Sequence, residues 1–214
     1  DQLRQRVAYA LSQLMVISMQ DGTVGDNPRA VSAYLDLLAD KGLGTYRELL
    51  EGVSLHPMMG TYLSHLRNRK ADPSTGRVPD ENYAREVMQL FSIGLHELNG
   101  DGSLRGNAGQ RIDTYAPTDI AGLAKVFTGW SWECPAWPAN GCFTSGAVSG
   151  VSDPDRYFKP MRGYAQYHST DAKVFLGTTI AAQTTADPAA SLRTALDRTT
   201  LLDVSASVDE YLDQ

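Results

Sequence analysis

No stretch of this chain approaches the ~20 uncharged apolar residues that a helix needs to cross a bilayer, so a helical membrane span is excluded. Positive charge is not in excess either: 19 Lys and Arg stand against 25 Asp and Glu, a formal charge of −6. A chain of that sign is a poor partner for nucleic acid unless its basic residues cluster. The best cluster, Arg67, Arg69, Lys70 and Arg77, encloses Asp72 and runs into Asp80 and Glu81. Mixed signs point to a solvated or partner-facing surface rather than a nucleic-acid site. Motifs that carry chemistry are scarce as well. No Gly-x-Ser-x-Gly elbow, phosphate loop or dinucleotide fingerprint occurs. The four histidines, His56, His65, His96 and His168, never fall at His-x-x-x-His spacing, so a zinc site would have to draw on distant segments. No cofactor is expected. The only two cysteines, Cys134 and Cys142, lack the Cys-x-x-Cys spacing of metal and redox sites. Their eight-residue separation, across Pro135, Pro138 and Gly141, suits a local disulfide closing a small loop, which requires an oxidising compartment.

What is present is an ordinary globular composition. Its 214 residues, 42% of them hydrophobic, fit one domain able to bury roughly 70% of the surface its unfolded chain exposes. Helical periodicity dominates. Leu3, Val7, Leu11, Leu14 and Met15 share a face from the first residues on. Asn27-Pro28 opens a second stripe through Val31, Tyr34, Leu35 and Leu38, and the Thr45/Glu48 capping box precedes Leu49, Leu50 and Val53. Pro57 opens a helix through Met58, Tyr62 and Leu66. Asp80 caps one whose stripe is Tyr83, Val87, Leu90 and Phe91, ending at Gly94. Thr118 and Asp187-Pro188 start the last two, through Ile120, Leu123 and Phe127 and through Leu192 and Leu196. With about seven helices and no convincing alternating run, the class is read as all-α: a helical bundle with long irregular insertions. The unit is residues 1–214, a single helical domain. It opens inside a helix, and at its other end a Ser207/Glu210 capping box begins a helix that stops within a turn. A fragment of a longer protein is the expectation.

Residues 130–175 break the rhythm. This stretch holds all three tryptophans and nine of the 18 aromatic residues, among many Gly, Pro and Ser. Ordinary connections run ~4–6 residues, so an aromatic-rich loop of this length points to function or to a small subdomain.

Two segments carry a resemblance. Pro79-Asp80-Glu81-Asn82-Tyr83-Ala84-Arg85-Glu86-Val87-Met88-Gln89-Leu90-Phe91-Ser92-Ile93-Gly94 resembles the signature helix of the bacterial family called domain of unknown function 1800. Asp119-Ile120-Ala121-Gly122-Leu123-Ala124-Lys125-Val126-Phe127-Thr128-Gly129-Trp130 resembles its second signature. Leu3 to Ala8 and His168 to Gly177 are similar too, with Asp171 where relatives often have Gly. The resemblance implies a longer, exported protein, secreted or periplasmic, with a sulfatase- or phosphatase-like exported partner. It implies no activity.

Several residues could carry chemistry. Glu81 and Arg85 stand at i, i+4, with Glu86 about 140° round the helix from Glu81. Glu81, Glu86 and His168 are the catalytic candidates. The competing reading makes Glu81, Arg85 and Glu86 structural, an ion pair locking this helix against the Arg4/Arg6 helix, with Gly94 and Gly129 as structural turns. Ion pairs outnumber catalytic carboxylates and no nucleophile accompanies these, so that reading is preferred. Glu97, Asn99 and Asp101, with Gly102 and Leu104, fit the first half of a calcium loop, but its closing position is Ala108, so no metal is assigned. Trp130, Trp132, Trp137, Tyr157, Tyr164 and Tyr167 could form a binding platform. The best functional reading is an exported helical scaffold or binding module whose ring-bearing loop takes a partner protein, a glycan or another polymer. An extracytoplasmic hydrolase using Glu81, Glu86 and His168, and a purely structural domain, are the alternatives.

Overall fold

The computed structural model describes residues 2–107 and 110–197. Among them the helices are α1 (Gln2–Leu14), α2 (Gly22–Gly25), α3 (Pro28–Lys41), α4 (Tyr46–Leu55), α5 (Pro57–Tyr62), α6 (Asn82–Gln89), α7 (Pro117–Ala124), α8 (Asn140–Ser145) and α9 (Pro188–Asp197). All seven stretches with helical periodicity are included. Local chemistry sets their ends. Thr45 accepts from Glu48 N at 3.2 Å, Asp187 from Ala190 N at 2.9 Å, and the His56 ring, through Nδ1, from Met58 N at 3.2 Å. The Ser207/Glu210 capping box lies outside the described residues.

The all-α expectation does not hold. Among the described residues helix accounts for 42% and strand for 12%, and the fold is mixed. Strands pair antiparallel in twos: β1 (Gly106–Asn107) with β2 (Gln110–Arg111), β3 (Trp130–Ser131) with β6 (Arg162–Gly163), β4 (Ala147–Val148) with β5 (Val151–Ser152), and β7 (Lys173–Phe175) with β8 (Thr178–Ile180). Two or three residues are too few to display alternation, and in β7 the alternation is inverted. Lys173 and Phe175 are buried there while Val174 faces solvent. The β7–β8 turn is Leu176-Gly177, both at positive φ, and Asp119 of α7 holds Leu176 in place by accepting its N–H at 2.8 Å.

One main core joins α1, α3, α4, α6, α7 and α9 through Ala8, Tyr34, Leu50, Val53, Tyr83, Val87, Leu123 and Leu196, with Phe127 just after α7. Not every predicted stripe position reaches it. Leu3, Leu14, Leu35 and Leu90 are exposed, because α1 packs chiefly on α3 and because α6 ends at Gln89, one residue before Leu90. Helix α7 lies directly on β7. A Cβ at Gly122 would sit 1.8 Å from the Val174 carbonyl oxygen, so backbone meets backbone where a side chain has no room. Two smaller clusters flank the core. Cys134, Cys142, Phe143 and Tyr164 form one within the aromatic segment, and Val24, Ala30 and Met58 form the other.

Candidate functional site

The second signature ends in a junction that organises the rest. Gly129 has φ +80°, a left-handed conformation, and a Cβ there would stand 2.8 Å from His168 N. Its neighbours are threaded by backbone bonds: Gly129 N to Asn68 O, Arg67 N to Trp130 O, Tyr164 N to Gly129 O and Lys70 N to Tyr167 O, all 2.7–2.9 Å. His168 sits inside this crossing, fully buried. One ring nitrogen, Nδ1, meets Thr128 O at 2.7 Å, and Nε2 meets Ser191 Oγ of α9 at 2.9 Å. Burial lowers its pKa from 6.5 to about 4, so the ring is neutral and donates to Thr128 O. Lys173 is buried beside it, its ammonium donating to Ser169 O at 2.9 Å and Asp171 O at 3.3 Å. Burial first, then the nearby Lys125 charge, lowers that group to about 8.

The catalytic candidates are not brought together. His168 lies in the crossing just described. Glu81 pairs with Arg85 at 3.5 Å on the exposed side of α6. Glu86 is half-buried, and its Oε2 has no hydrogen-bond partner among the described residues. The ion pair does not lock α6 against α1 either: Arg4 turns to α3, where it meets Ala39 O at 3.1 Å and Asp40 at 3.9 Å. Gly94 takes φ +74°, and its N–H closes the α6 terminus on Met88 O at 3.0 Å.

The calcium candidates form a hairpin instead. Asp101 accepts from Ser103 N and Oγ, Asn99 donates to Ser103 Oγ, and Glu97 pairs with Arg105 at 2.9 Å. Leu98 and Leu104 face each other across that turn. Asp101 Oδ1 and Glu97 Oε2 are thus engaged by Ser103 and Arg105, and Ala108 lies outside the described residues.

The aromatic segment divides in two. Trp130, Trp132 and Tyr164 are buried and serve the interior. Trp130 donates through Nε1 to Val126 O at 3.2 Å, and the Tyr164 hydroxyl donates to Trp132 O at 2.8 Å. Tyr157 and Tyr167 are half-buried, Tyr167 stacking on Phe143 at 3.8 Å. Six rings therefore do not form one open platform; interior packing of the segment against the helices claims half of them. Trp137 is the exception, at 43% exposed. It stands in the loop closed by the Cys134–Cys142 disulfide, just before a cis Pro138. Its indole N–H donates to Gly163 O at 3.1 Å, and the Arg162 guanidinium lies 4.7 Å from the ring centre. Arg162 is shared with Glu133 at 3.5 Å.

Trp137 forms one wall of a cleft of about 690 Å³. The cleft is also lined by Glu51 and Leu55 of α4, by Met161, Gly163 and Gln166, and by Asp187, Pro188, Leu192 and Arg193. Glu51 is held by Arg47 at 2.5 Å, and Arg47 also pairs with Asp197. The Gln166 amide donates to Pro138 O at 2.7 Å. An oriented ring, apolar flanks and a few fixed charged and amide groups are the usual ingredients of a small-ligand site. Cleft-lining residues from α4 and α9 escaped the reading of the sequence, since nothing in spacing links Glu51 or Arg193 to Trp137.

No curated protein and no solved structure matches this chain. A family model does, over residues 1–202, and the chain belongs to that family, described as protein of unknown function (DUF1800).

Proposed function

We propose that this domain is a binding module of an exported protein, and that its site is the Trp137 cleft. One observation supports the reading above others. In a segment whose other two tryptophans are buried, Trp137 alone stays open, with its orientation fixed by a hydrogen bond, a stacked guanidinium and a cross-linked loop. An immobilised indole presents area at little entropic cost. The flat C–H faces of a sugar suit it, while Glu51, Gln166 and Arg193 offer partners to hydroxyl groups. A glycan is therefore the preferred ligand class. A sulfatase- or phosphatase-like exported partner and an extracytoplasmic location accompany the proposal, the disulfide fitting an oxidising compartment. The hydrolase reading loses ground because Glu81 and His168 are engaged in separate places, whereas the structural reading suits Trp130, Trp132 and Tyr164.

Tryptophan fluorescence titrated with cellohexaose, xylohexaose and chitohexaose tests this, alongside Trp137→Ala. Saturable binding by one of the sugars, weakened roughly tenfold or more in the variant, is expected. Absence of saturation with all three, or undiminished binding by folded Trp137→Ala, defeats the proposal.

A further inference from the structure

The basic cluster noted in the sequence is not a scatter of solvated side chains. Arg67, Arg69 and Arg77 border an open groove of about 530 Å³, floored by Leu66, Asn68 and Pro79. The backbone beneath is fixed on both sides. Arg67 N and Lys70 N donate to Trp130 O and Tyr167 O, and Asn68 O accepts from Gly129 N. The Asn68 amide also pairs with both backbone groups of Asp80, at 2.8 and 3.0 Å. Arg67 itself has φ +67°, a conformation that persists in a non-glycine residue where surrounding bonds impose it.

The guanidinium groups of Arg67 and Arg69 are held on rings rather than by carboxylates. Arg69 lies 5.2 Å from the Tyr167 ring centre and 5.5 Å from that of Phe143, and Arg67 lies 5.2 Å from Trp132. A guanidinium held by its flat face keeps its edge N–H donors for something else. Among the described residues Arg67 uses one of them, on Thr144 O at 3.2 Å, and Arg69 has no ion pair. Arg77 gives Nε to Lys70 O and meets Asp72 at 3.5 Å. Asp80, the one acid in the groove wall, is itself engaged: its carboxylate accepts from Ser64 Oγ at 3.0 Å and Asn82 N at 2.8 Å.

We propose that this groove binds an oxyanion group, phosphate, sulfate or carboxylate, carried by a ligand. The forked donors of pre-oriented arginines match such groups edge to edge. On a chain of net charge −6 an open cluster of this sign works against long-range repulsion, and only close-range recognition makes use of it. The inference stands apart from the Trp137 cleft, which shares no lining residue with the groove.

The test follows the arginine Nε–Hε resonances during titration with sodium phosphate, sodium sulfate and sodium acetate at constant ionic strength. Saturable shifts of Arg67 and Arg69 are expected with at least one anion, while the Trp137 indole resonance stays in place. A response to phosphate or sulfate identifies a tetrahedral group, and to acetate alone a planar one. Arg69→Gln should weaken binding roughly tenfold, the scale of one charge-assisted hydrogen bond. Should Arg69→Gln disturb the ring stack, Arg77→Gln at the rim serves, with several-fold weakening expected. Linear shifts with all three anions, equal shifts at Arg193, or unchanged affinity in both folded variants would overturn the proposal.

Discussion

Three of the four histidines are buried, and that should make the protein sensitive to mild acid. His56, His65 and His168 each have a pKa lowered by burial from 6.5 to about 4. An unfolded chain takes up these protons between pH 6.5 and 4, and the folded chain does not. Their contribution to stability is therefore complete above pH 6.5 and is lost as the pH falls towards 4. At pH 5 the loss per histidine is about 2 kcal/mol, hence about 6 kcal/mol for the three. That matches the whole stability of many domains. Urea unfolding at intervals from pH 8 to 5 measures it. His56→Asn isolates one share: the asparagine oxygen can still accept from Met58 N at the start of α5, but no longer titrates. Carboxylate contributions are common to both proteins and cancel in the difference. The variant should lose about 2 kcal/mol less than the parent between pH 8 and 5. Identical pH profiles for the two would refute the assignment of a buried, neutral His56.

The other expectations follow the same geometry. Gly122→Ala should cost 3 kcal/mol or more, on the order of a severe overpacking defect, because the new methyl meets a backbone oxygen; urea midpoints measure it. Replacing Cys134 and Cys142 by alanine should cost about 2.5 kcal/mol in the chain-entropy account of an eight-residue separation, and thiol titration of the unreduced, unfolded parent should find no free thiol. Glu81→Gln, removing an exposed i, i+4 pair, should shift stability by roughly 0.5 kcal/mol or less. Iodide should quench a minority of the tryptophan emission, and that fraction should vanish in Trp137→Phe, since Trp130 and Trp132 are buried.

Helices were legible in the sequence because their signals are local: a capping side chain, a first-turn proline and an apolar face repeat within one segment, as Thr45, Pro57 and Asp187 show. The strands were not, because each is only two or three residues long, too short to show alternation, and one pair joins distant segments. Ser131 pairs with Arg162, and Lys173 hides in a strand whose valine is exposed. The disulfide was legible, since eight residues with turn formers between two cysteines leave few alternatives. The rings of residues 130–175 signalled only that the segment buries or presents aromatic area. Which ring does which depends on Val126 O, Gly163 O and the other acceptors that chain folding brings near. For the same reason Trp137 could be nominated from the sequence, whereas Glu51 and Arg193 could not.

Both candidate sites grow from one piece of backbone. Trp130 pairs with Gly163 in the β3–β6 ladder, and Gly163 O in turn receives the Trp137 indole N–H at the cleft. On its other side Trp130 O receives Arg67 N, which fixes the floor of the basic groove. His168 and Gly129 lock the crossing behind them, so the second signature positions side chains that lie outside it. A change confined to Trp137 or to Arg69 should disturb one site and spare the other, because each side chain ends at the surface. A change at Gly129 has no such freedom. Any side chain there meets His168 N and Tyr164 O, and displacing either moves the strand that both sites share.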